Sequence, residues 1–186
     1  THRLLAKQKN VVIAVPGGQS VAGIYENFRD YPLPWDRIHM FLLDERLVGA
    51  DHPDSNYKLV REHMGGGVGP LSIHQFTYDA KSPRQSVIDY REELNRYGGR
   101  FDIVLASSGE DGHIGSLFPH HHSLQKSSRG FFLVDDSPKP PPGRMTASFD
   151  LIQQADTGIV LFFGSSKRKA LGDFLNSELS YTECPA

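Results

Sequence analysis

Cysteine is almost missing from this sequence: Cys184 stands alone near the end of a 186-residue chain. No internal disulfide can form, so a reducing compartment, the cytoplasm, is the expectation. Also missing is any apolar run approaching the roughly 18 to 20 residues of a membrane span, and any charged-then-apolar leader at the N-terminus. Charge of one sign is not in excess either: 20 Lys and Arg face 22 Asp and Glu, a net charge of −2. That balance gives no global attraction to nucleic acid or to an anionic membrane, so any anion must be bound locally. No repeat or shift of composition marks a boundary, and the length suits one domain, residues 1–186, with a substantial core.

What is present is a set of four short apolar runs, at residues 11–15, 38–43, 101–106 and 158–163. They are nearly continuous rather than alternating, which predicts strands buried on both faces. Helical patterns at 21–29, 87–97 and 166–175 lie between or after them. Strands alternating with helices predict an α/β fold, a three-layer sandwich with a mainly parallel, Rossmann-like sheet. Two stretches, 65–70 and the proline-rich 135–143, read as loops.

Each strand runs into a polar cluster. PGGQS follows the first, Asp44, Glu45 and Arg46 the second, SSGEDGH the third, and GSSK the fourth. Ligands of open parallel sheets bind beyond the carboxyl ends of the strands, so the clusters should converge. Gly17, Gly18 and Ser20 lie in a strand-to-helix turn that could hold a phosphate, or simply turn with Ser20 as N-cap. The loop matches neither the Walker pattern nor the dinucleotide fingerprint. Arg46 suits bidentate phosphate recognition or pairing with a neighbouring acid. Lys167 begins the last helix and is a candidate phosphate contact, whereas Arg168 and Lys169 read as solvated. His113, beside Glu110 and Asp111, has the setting of a general base.

Two other chemistries compete. Gly18 to Ala22 approaches a nucleophile elbow, but Ala22 replaces the last glycine, leaving a Ser20 triad as a weaker reading. His113 with His120, His121 and His122 could bind a metal. Three adjacent histidines cannot all face one ion if extended, so no metal is expected and the triplet reads as a polar loop.

Taken in order, PGGQSVAGIY (16–25), Asp44-Glu-Arg46 with DHPDSNY (51–57), GEDGHIGSLFP (109–119), KPPPGRMT (139–146) and GSSK (164–167) resemble five blocks of the 6-phosphogluconolactonases. That family lies within a larger group that includes glucosamine-6-phosphate deaminases. The resemblance implies hydrolysis of 6-phospho-D-glucono-1,5-lactone, a sugar phosphate of the oxidative pentose phosphate pathway, with no metal or organic cofactor. His113 would be the general base, oriented by Asp111, with Glu110 as the weaker alternative. Gly17, Gly18, Ser20, Arg46 and Lys167 would hold the phosphate; Asp44 would contact the substrate, Asn56 would help bind it by shaping the pocket, and Arg144 would contact phosphate or sugar hydroxyls. Arg46 and the GSLFP that follows Ile114 favour the lactonase over a deaminase/isomerase, although Ile114 itself leans the other way. A non-catalytic sugar-phosphate-binding relative is the remaining alternative, opposed by the intact His113 block. Pro16, Gln19, Ser20 and Val21 depart from the usual phosphate loop, and Pro16 has no N–H to offer an anion. The resemblance also implies that terminal segments precede and follow these residues; it leaves the oligomeric state open.

Overall fold

The computed structural model describes residues 1–65, 72–125 and 130–186, so all but the first residue of the glycine-rich 65–70 stretch lies outside the described residues. The chain opens with a helical turn, α1 (His2–Leu5), and then enters β1 (Val11–Val15). α2 (Ala22–Arg29), β2 (Ile38–Leu42), β3 (Asp44–Arg46) and α3 (Asn56–Met64) follow. β4 (Ser72–His74), α4 (Pro83–Asn95) and β5 (Ile103–Ser107) make up the middle of the chain. β6 (Phe131–Val134), β7 (Arg144–Ala147), α5 (Phe149–Gln153), β8 (Thr157–Leu161) and α6 (Arg168–Phe174) complete it.

The apolar runs pair as a five-stranded parallel sheet in the order β4-β2-β1-β5-β8. β1 is central because it is apolar on both faces. Val12 and Ala14 point to one core, with Phe41, Val104, Tyr90 and Leu94; Ile13 and Val15 point to the other, with Met40, Tyr25, Val60 and Met64. Thus α2 and α3 cover one face and α4 the other, which gives the three layers. The chain moves outward from β1 to β2 on one side and resumes at β5 on the other. That reversal opens a crevice above the ends of β1 and β5.

The α4 face also carries a small antiparallel sheet, β3-β7-β6, with register from Asp44↔Thr146 to Arg46↔Arg144. This sheet was not expected. It carries Asp44 and Arg46 away from β2 and ties them to the KPPPGRMT block. One expectation fails at β8: Thr157 to Ile159 are exposed, so this strand lies at the sheet edge and is not buried on both faces.

Candidate active site

The phosphate-loop residues come first. After β1 the chain does not enter α2 directly but makes one tight 3-10 turn, Gln19–Val21, with the Val21 N–H donating to the Gly18 carbonyl. Ser20 therefore sits inside this turn and is not an N-cap; neither cap position makes a side-chain hydrogen bond. The buried Tyr25 hydroxyl donates to the carbonyl of Pro16, fixing the loop from below. Gly17 is required by crowding: a Cβ there would lie 1.8 Å from Oδ1 of Asn56.

The second cluster is built around a buried carboxylate. Glu45 accepts hydrogen bonds from the backbone N–H groups of Arg46, Asn56 and Tyr57 and from the Ser55 hydroxyl. It thereby closes the N-terminus of α3, where a negative charge is favoured. Burial pushes its pKa up although these backbone donors pull the other way. Asn56, at the first position of α3, then donates through Nδ2 to the Asp44 carbonyl at 2.8 Å and to Oδ1 of Asp44 at 3.2 Å. The other Asp44 oxygen accepts from the Ser116 hydroxyl at 2.8 Å and faces Arg144 at 3.4 Å.

The third cluster answers to the GEDGH motif. The Gly109 N–H donates to the His113 carbonyl, and that of Gly112 to the Gly109 carbonyl, folding the loop back on itself. His113 Nδ1 lies 2.5 Å from Oδ1 of Asp111, and the ring packs against Phe118 with centroids 4.8 Å apart. A Cβ at Gly109 would come within 2.0 Å of that same Nδ1, so only glycine admits the imidazole here. Burial alone would raise the Asp111 pKa. The His113 hydrogen bond and charge, with Lys139 Nζ 3.6 Å away, reverse that and hold the carboxyl well below its ordinary range. An ionised Asp111 accepts the proton on Nδ1 and leaves Nε2 as the basic nitrogen of the ring.

These clusters meet in one cavity of about 160 Å³, lined by Pro16, Gly17, Gly18, Ser20, Asp44, Arg46, Asn56, His113 and Lys167. Ser107, Ser108, Gly109 and Gly115, not singled out in the sequence, complete the wall. Two buried polar atoms lack a protein partner among the described residues, Nε of Arg46 and Oδ1 of Asn56, and both residues line this cavity. Arg46 is anchored by Nη1, which donates to the carbonyl of Asp54. Lys169 pairs with Asp173 outside the cavity, consistent with the solvated reading. Among the described residues no hydrogen bond joins Ser20 to His113, so a serine triad is not assembled.

Arg144 departs from expectation. It is 5% exposed and does not line the cavity; its guanidinium faces Asp44 and donates to the carbonyls of Lys139, Pro140 and Pro141. Its place is behind the site, where it ties the proline-rich loop to Asp44. Glu45 was the opposite omission: the sequence named it only as part of a polar cluster, and only the fold brings α3 over it.

A parallel sheet with a crevice at its switch point, where two cations and a carboxylate-oriented imidazole line one cavity, defines an α/β enzyme that handles a small anionic substrate. The family described as glucosamine-6-phosphate isomerases/6-phosphogluconolactonase matches residues 1–186, and the chain belongs to it. A 6-phosphogluconolactonase of Synechocystis is 34% identical, the match covering 99% of this chain and 79% of that protein. One from Borreliella burgdorferi is 32% identical over 97% of this chain and 79% of its own length. Among solved structures, the 6-phosphogluconolactonase of Thermotoga maritima superposes with a TM-score of 0.79 at 27% identity, covering 94% of this chain and 79% of that one.

Proposed function

We propose that this chain hydrolyses 6-phospho-D-glucono-1,5-lactone to 6-phosphogluconate, with His113 as general base. The observation that carries the reading is the 2.5 Å Asp111–His113 pair opening on the cavity that also holds Arg46 and Lys167. His113 Nε2 takes a proton from water as the water oxygen attacks the lactone carbonyl carbon. The tetrahedral oxyanion collapses, the bond from that carbon to the ring oxygen breaks, and the imidazolium returns its proton to the departing oxygen. One water is consumed and the imidazole is regenerated. Asp111 holds the ring in the tautomer that the first step needs and stabilises the imidazolium that follows.

Arg46, Lys167, Ser20 and the N–H groups at Gly17 and Gly18 bind the 6-phosphate. That contact is remote from the reacting carbon, so its role is to position the lactone over Nε2. Asp44 and Asn56 line the same cavity. Arg144 acts through Asp44, a positioning residue and not a phosphate ligand. The lone cysteine favours the cytoplasm as the setting.

The test is product formation from freshly generated lactone, corrected for spontaneous hydrolysis, run beside ammonia release from glucosamine 6-phosphate. Lactone hydrolysis without ammonia is the expected result. Ammonia release would move the protein to the deaminase branch, and neither activity would leave a sugar-phosphate binder.

A further inference from the structure

Outside the crevice, two histidines and a carboxylate meet at one point: single ligand atoms of His121, His122 and Asp136 all lie within 4.8 Å of one another. In an extended chain neighbouring side chains would diverge by 180°. Here the backbone turns at His120, whose φ is 55°, and enters a 3-10 turn at His122–Gln125. The His121 and His122 rings are brought side by side, with centroids 4.2 Å apart. Asp136, just past β6, faces both: its oxygens lie 3.4 Å from Nε2 of His121 and 2.9 Å from Nε2 of His122.

We propose that His121, His122 and Asp136 bind one divalent transition-metal cation of the Zn²⁺ class, at a site separate from the catalytic crevice. Two imidazole nitrogens and a carboxylate oxygen form a borderline donor set that suits zinc or nickel better than magnesium or calcium. Bonds of about 2.0–2.1 Å place neighbouring tetrahedral ligands roughly 3.3 Å apart. The 2.9 and 3.4 Å separations bracket that value. His122 and Asp136 are exposed, so water can take the fourth position.

The site also has a structural consequence. The His121 ring stands edge-on to Phe118 at 5.8 Å, and Phe118 in turn packs on His113. Asp136 lies three residues before Lys139, which pairs with Asp111. A cation here cross-links the two segments that flank the Asp111–His113 pair. Its role is that of a clamp, and no step of the hydrolysis passes through it.

The experiment is calorimetric titration of ZnCl₂ into untagged, chelator-treated protein, with the visible spectrum of the Co²⁺-loaded protein as a second readout. One Zn²⁺ per chain is expected, with a tetrahedral cobalt spectrum and a higher unfolding temperature when zinc is present. His122→Ala and Asp136→Asn, both at exposed positions, should each weaken binding at least about tenfold, while His113→Ala should leave the stoichiometry unchanged. Absence of Zn²⁺ uptake overturns the proposal. So does uptake that persists in both ligand variants, or that His113→Ala or Cys184→Ser abolishes.

Discussion

Gly17→Ala is the substitution whose consequence can be followed furthest through the structure. The new Cβ would lie 1.8 Å from Oδ1, 2.0 Å from Cγ and 2.4 Å from Nδ2 of Asn56, so the whole carboxamide must move. Asn56 is 1% exposed and cannot swing into water cheaply. Moving it breaks the 2.8 and 3.2 Å bonds to Asp44, each worth about 1 kcal/mol net. Overpacking adds at least about 1 kcal/mol, for a total of roughly 3 kcal/mol. In a chain of 186 residues that lowers the melting temperature by about 6–12 °C. Gly23→Ala is the control: its Cβ meets nothing within 4 Å inside α2, and alanine is the better helix former. Melting followed by circular dichroism should show a marked fall for the first variant and none for the second. Adding Asn56→Ala to Gly17→Ala removes the clash, so the pair should lose less than the sum of the singles. A Gly17→Ala protein melting within a degree or two of the parent would refute the argument, as would strictly additive losses.

Arg46→Ala and Lys167→Ala should raise KM for the lactone with a smaller effect on kcat, since the contacts they remove serve ground state and transition state alike. Steady-state kinetics with varied lactone checks this. Asp111→Asn should lower kcat about 100-fold, the low end of what general-base catalysis contributes, while inhibition by 6-phosphogluconate stays the same. The folded-state pKa of Asp111 is lowered, so its contribution is full above the unfolded value of 3.8 and is lost as pH falls below that toward the folded pKa. The gap in urea midpoint between the parent and Asp111→Asn should therefore narrow below about pH 4.

The parallel core was legible because its strands carry their signal themselves. β1, β2 and β5 are apolar on both faces, and the structure returns them within two residues of the predicted bounds. β8 gave the same signal for a different reason: its apolar run continues beyond the strand through Phe162 and the exposed Phe163. β3 was invisible because Asp-Glu-Arg has neither alternation nor β-propensity; it is a strand only because Asp44 to Arg46 pair with β7. The same long-range pairing misplaced Arg144. Its sequence block runs into β7 beside Asp44, but whether a guanidinium reaches the cavity or lies behind it depends on register. For the histidine triplet the limit of the sequence was the backbone: an extended chain would splay the rings, whereas the turn at His120 brings those of His121 and His122 side by side. Asp111 and His113, two residues apart, were readable because the glycines at 109 and 112 leave the loop room to bring them together.

Most direct for the central claim is a comparison of turnover and ligand binding in His113→Asn, which keeps the polarity of the site but removes the basic nitrogen. A loss of kcat of about 10²- to 10⁴-fold on the lactone is expected, with calorimetric affinity for 6-phosphogluconate nearly unchanged. Turnover close to that of the parent, or a loss of binding as large as the loss of rate, would contradict the assignment of His113 as the base.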